Sequence, residues 1–317
     1  MALWNKGALA GTGLVLLYTL AISSADAITK FIAAGYAAPQ LFAFSGAIVV
    51  GLSWVSARAS GETQSLRTSC PRAMALRALL TVIGSVAFFY AFRFLPFAEV
   101  FVFIGMMPIF AGLFSAPILG EYVRPVAWAA LAAGFIGVLC LFPGGIASVS
   151  FGHLVALFAC LCGTLSMVLA RFIGRYEANS LAQVFFPNAA LCVAMAMVLP
   201  FVYKPMPLGD LGWVGAYAVF LFAARWLLVV SLRLLAAYAV TPLMNLQFVW
   251  MVVLGAVFFG EVPASNIYLG VAIVIGSGVF LIWDQMQPTK DKAVAIPLSQ
   301  RFSLRLWQPR RYTKIVR

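Results

Sequence analysis

Apolar runs of about 20 residues recur along the whole chain, each ended by a short cluster of Pro, Gly and charged residues. A helix of that length crosses the roughly 30 Å hydrocarbon core of a bilayer. The pattern predicts ten such helices, at 8–34, 39–57, 74–92, 96–119, 125–143, 152–170, 181–202, 211–232, 238–259 and 266–283. The breaks, such as "GYAAPQ", "SGETQSLRTSCPR" and "GEVPAS", are too short to form domains of their own. Pro108 and Pro117 fall inside the fourth run, where proline is expected to kink a helix and free backbone carbonyls. The first run follows Lys6 and contains Ala25-Asp26-Ala27, features shared with secretory signal peptides. Its length and its place in an internal repeat favour a membrane helix.

Composition agrees with this pattern. Of 317 residues, 64% are hydrophobic and 9% charged, against about 25% charged in soluble domains. The expected fold class is an all-α integral membrane protein with ten transmembrane helices. A net charge of +12 in a soluble protein would suggest a nucleic-acid partner. Here the positive-inside rule accounts for it. With the N-terminus inside, eight basic residues fall in inner segments and eight in the tail, while Lys30, Arg93 and Lys204 lie at outer ends. Both termini are therefore expected in the cytoplasm, as in a multi-pass protein of a bacterial inner membrane. Residues 284–317 form a basic tail with interleaved Phe, Leu, Trp and Tyr, suited to anionic lipid headgroups rather than nucleic acid. The five cysteines show no ligand spacing and are read as reduced. His153, the single histidine, starts a helix and is read as interfacial. Neither a metal nor another cofactor is expected.

The two halves align with each other. "AFRFLPFAEV" at 91–100 lies over "SLRLLAAYAV" at 231–240 at an offset of 140, and Gly120-Glu121 falls on Gly260-Glu261. "DAITKFI" from Asp26 lies over "MVLARFI" from Met167 at an offset of 141. Each half, 8–143 and 152–283, then holds five helices. An odd number per half means that the halves insert with opposite orientation. Inverted repeats of this kind place a transporter's site near the midplane, between the halves.

Ten helices in two such repeats, each with a "GE" dipeptide after its fourth helix, resemble the drug/metabolite transporter superfamily in its EamA-type branch. The resemblance covers about 8–283. First helices with Asp-x-x-x-Lys, as in Asp26 to Lys30, are similar to those of members assigned to riboflavin or S-adenosylmethionine transport. Such members often carry an Arg in the second helix, where this chain has Ser45.

Thr12, Thr19, Ser23, Asp26 and Lys30 share one face of the first helix. A polar stripe in a membrane helix is expected to face the bundle interior; the competing reading is that Asp26 and Lys30 snorkel at the outer interface. Glu99 opens the fourth helix, where the helix dipole favours a carboxylate. Arg225 lies deep in the eighth run, and the second half has no acid at that depth. Its partner is expected to be Asp26, freed carbonyls or a substrate anion. Glu121 and Glu261 are read as helix-end residues. Asn245 and Gln247 add hydrogen-bonding groups that are costly to leave unpaired in hydrocarbon. Aromatic and thioether side chains, among them Phe103, Met107, Trp226, Met244, Phe248 and Trp250, offer surface for flat or apolar ligands.

The leading functional reading is a secondary transporter of a small organic metabolite, amino-acid-like, metallophore-like, flavin-like or nucleoside-like, with proton coupling open. It is expected to be no enzyme, and to work as a monomer or homodimer. A membrane-embedded enzyme or a lipid-carrier flippase accessory is the alternative. The sequence contains no GxxxxGK[ST] nucleotide loop.

Overall fold

A computed structural model of the chain describes residues 6–59, 66–95, 97–120, 150–177, 179–235 and 246–260, with isolated helical positions in between. Eight helices stand among the described residues: α1 (Lys6–Ala33), α2 (Ala38–Ala59), α3 (Pro71–Phe94), α4 (Phe97–Leu119), α5 (Phe151–Gly174), α6 (Ser180–Val202), α7 (Leu208–Leu234) and α8 (Gln247–Phe259). Six of them, all except α4 and α8, are long and apolar enough to cross a membrane. The expected spans 125–143 and 266–283 fall largely outside the described residues, as does the tail. Helix α4 continues through Pro108 and Pro117 without a break in helical structure.

Local signals explain where the helices begin and end. Pro71 supplies the fixed φ of a first helical turn in α3. Asn179 caps α6 by accepting from the Ala182 amide at 3.1 Å. Ser150 and His153 form a reciprocal cap at the start of α5, and His153 is buried there. The two "GE" glycines end α4 and α8: Gly120 and Gly260 adopt φ of 63° and 65°, a left-handed conformation that glycine takes without a Cβ clash. Glu121 and Glu261 lie outside the described residues.

The major packing runs between the halves of the chain. Helix α1 lies on α7, α2 on α6 and α3 on α5, with α4 also against α5 and α1 against α8. Two close contacts repeat across the halves. A methyl group on Gly11 would fall 2.8 Å from the Leu235 side chain, and one on Gly152 would fall 2.9 Å from Leu95. Large apolar side chains such as Phe201, Leu208 and Val257 cover the outside, as a lipid-facing surface requires.

Polar contacts tie the helix ends. At one end, the Tyr36 hydroxyl donates to Asp210 at 2.6 Å, and that bond raises the Tyr36 pKa above its ordinary value. Nearby, Gln40 brackets the Lys204 backbone: its amide donates to the carbonyl at 2.7 Å and accepts from the N–H at 3.1 Å. At the other end, the Glu177 carboxylate accepts from the Ser69 amide at 2.6 Å and from the hydroxyls of Ser69 and Thr68. Arginine side chains also bond there to groups on other helices: Arg171 to the Leu232 carbonyl, Arg175 to the Leu119 carbonyl, and Arg233 to Ser180. Carbonyls in a last helical turn lack intrahelical donors, so Arg171 and Arg175 meet groups that would otherwise lack a partner within their helix.

Candidate functional site

The polar stripe of α1 turns inward. Thr19 and Ser23 are fully buried, and the stripe meets the first turn of α8. Ser23 Oγ donates to the Gln247 carbonyl at 3.2 Å. Gln247 Nε2 donates to Asp26 Oδ2 at 2.6 Å, and Trp250 Nε1 donates to Thr19 Oγ1 at 3.2 Å. Residues about 220 positions apart in the chain thus form one hydrogen-bonded seam.

This seam is one wall of a cavity of about 160 Å³. Asp26, Thr29 and Tyr18 enter it from α1, Ser85 and Phe88 from α3, Met107 from α4, Tyr217 and Arg225 from α7, and Gln247 from α8. Phe42, Phe89 and Phe92 complete an aromatic lining. Arg225 Nη2 donates to Ser85 Oγ at 3.5 Å. Among the described residues, Asp26 and Arg225 share the cavity without forming an ion pair. Asp26 is held by Gln247 and Arg225 reaches Ser85. The site therefore offers a carboxyl group, a guanidinium and several ring faces within one small space, each polar group retaining bonding capacity. Such a set can recognise a flat molecule carrying both donor and acceptor edges.

Of the candidate residues, the structure brings Asp26, Arg225 and Gln247 to the cavity, with Ser23 directly behind Gln247. Lys30 is half-buried and is not part of the lining. The Glu99 side chain and Asn245 lie outside the described residues. Met107 and Met244 line the cavity, whereas Trp226 faces outward. Ser85, Tyr18 and Tyr217 were not anticipated, because a hydroxyl or phenol in an apolar run has no distinct sequence signature. Arg77 is also buried, bonded to the Gln183 carbonyl, and lies outside the lining. Among the described residues no group of three His, Cys, Asp or Glu is placed to hold a metal ion. A larger hollow of about 440 Å³ is lined by Phe31, Trp213, Phe220, Leu254 and Phe258 among others. It contains no charged group, so the smaller cavity is the stronger candidate.

Parts of the chain are similar to known proteins. Residues 9–142 match the EamA-like transporter family. A riboflavin transporter of Rhizobium johnstonii is 25% identical over 242 residues, 72% of this chain and 76% of the relative. A pseudopaline exporter of Pseudomonas aeruginosa is 27% identical over 268 residues, covering 84% and 93%. An S-adenosylmethionine uptake transporter of Rickettsia bellii is 24% identical over 296 residues, covering 89% and 96%. A crystal structure at 18% identity superposes on 90% of this chain and 100% of its own with a TM-score of 0.70, which shows a shared fold.

Proposed function

We propose that this chain, which resembles the EamA-like transporter family over residues 9–142, is a secondary transporter that carries a small, flat organic metabolite by alternating access. The observation that carries the proposal is the shared cavity, in which Asp26, Gln247 and Arg225 meet under aromatic walls. The substrate presents an anionic or strongly hydrogen-accepting group to Arg225 and a donor edge to Gln247, whose side-chain oxygen can accept. Relatives named for riboflavin, pseudopaline and S-adenosylmethionine all point to ligands that combine polar edges with extended carbon frameworks. At about 160 Å³ the cavity is smaller than the roughly 300 Å³ of ordinary ligand pockets, so the helices part to admit the substrate.

An arrangement of ten helices in two inverted repeats is supported by equivalent packing in the two halves. The α1–α7 contact corresponds to α5–α3, and Gly11 against Leu235 corresponds to Gly152 against Leu95 at offsets of 141 and 140. The excess of basic residues in alternate connections supports cytoplasmic termini. Reporter fusions after residues 35 and 205 should read outside; inside signals at both would overturn this orientation.

The function is tested by counterflow. Purified protein in liposomes loaded with unlabelled riboflavin, S-adenosylmethionine or an aromatic amino acid should draw in the same labelled compound in at least one case, above protein-free liposomes. Chemical conversion of a compound without counterflow would instead establish the enzyme alternative.

A further inference from the structure

The Arg225–Ser85 hydrogen bond joins residues 140 positions apart. That separation is the offset at which residues 231–240 align with 91–100. Ser85 and Arg225 are therefore equivalent positions of the two repeats, on the corresponding helices α3 and α7. A two-fold operation sends each residue to its equivalent on the far side of the axis. Two equivalents whose side chains touch must both lie beside that axis. Helices α2 and α6, also equivalent, pack directly on each other, as expected for elements that flank it.

We propose that the Arg225 guanidinium occupies the pseudo-two-fold axis, with Ser85 as its positioning residue from the opposite repeat, so that the anion-recognising position belongs to the axis rather than to one half of the chain. The proposal rests on the reading of Arg225 as the substrate's contact and specifies how both repeats share it. A group on the axis keeps its place when the two halves exchange roles. It therefore meets the substrate from either side of the membrane without moving between two sites. Ser85, which can accept from one guanidinium nitrogen, fixes the direction of the planar fork and leaves the other donors for the ligand.

On this account the arginine can be supplied by either repeat. Arg225→Ser should lower counterflow of the transported compound by about 10- to 100-fold. Adding Ser85→Arg to that variant should restore it to at least about one-half of the wild-type rate, a loss of no more than about 0.4 kcal/mol of transition-state stabilisation. Folding is followed by size-exclusion of the detergent-solubilised protein. Wild-type counterflow from Arg225→Ser alone would refute the role of Arg225 as substrate contact. An impaired Arg225→Ser with an equally impaired but monodisperse exchange variant would overturn the axial site and leave that role standing. If the exchange variant does not fold, Ser85→Ala decides. A KM raised about threefold to tenfold with Vmax unchanged supports the positioning role, on the scale of one hydrogen bond. An unchanged KM overturns it.

Discussion

Arg225→Leu is expected to lower counterflow by about 10- to 100-fold while leaving membrane insertion and solubilised dispersity unchanged. Hydrogen bonds to charged groups contribute about 1.5–3 kcal/mol, and each 1.4 kcal/mol is about tenfold. Its one hydrogen bond to a described residue, at 3.5 Å to Ser85, makes a small contribution to folding. Arg225→Lys should also be impaired, because an ammonium lacks the planar fork. The double variant Arg225→Leu/Asp26→Leu separates two accounts. Had the charges formed an ion pair, removing both would be well tolerated. They bond to different partners, Ser85 and Gln247, so the double variant should remain stable and inactive. A fully active Arg225→Lys together with a rescued double variant would refute substrate recognition by Arg225.

Asp26→Asn is the second large effect. The amide oxygen of Asn can still accept from Gln247 Nε2, which now holds the carboxylate at 2.6 Å. The α1–α8 seam should therefore persist, as the Ser23 and Trp250 bonds do not involve Asp26. What the variant lacks is a group able to gain and lose a proton. If Asp26 carries the coupling proton, accumulation driven by an imposed pH gradient should fall at least about tenfold, while exchange at equal pH stays within about twofold. The roughly 1.4 kcal/mol behind a tenfold change is well above what an isosteric replacement costs in packing. Wild-type accumulation in Asp26→Asn would exclude this carboxylate as the proton carrier. Loss of both accumulation and exchange would assign Asp26 to substrate contact instead.

The helices were legible because each must fill the same hydrocarbon thickness. The expected 39–57 and 181–202 became Ala38–Ala59 and Ser180–Val202. The "GE" pair was legible as a helix end, though its reason, a left-handed glycine at 120 and 260, is a backbone property. Within the site, Asp26 and Arg225 stood out because a charge in an apolar run is costly. The same rule could not separate Arg225 from Arg77: both interrupt apolar helices, and only the packing sends one into the cavity and the other to the Gln183 carbonyl. Nor could the i, i+4 spacing of Asp26 and Lys30 decide how far the polar face extends. The cavity takes Asp26 and Thr29 and leaves Lys30 out of its lining. Gln247 drew notice as a polar residue, but its bond to Asp26 spans 221 positions, beyond any local pattern.

Packing between the halves governs the order of assembly. Within the first half, α1, α2, α3 and α4 make few contacts with one another; their main partners are α5, α6, α7 and α8. A ribosome delivers the first four helices well before any of those partners exists. Ser23, for example, waits for a carbonyl 224 residues further along the chain. During synthesis the early helices lack most of the partners that they have in the finished fold. Domains of many soluble proteins fold one after another from the N-terminus as they are made. Here the main contacts of the first four helices can form only after α5 to α8 have been made.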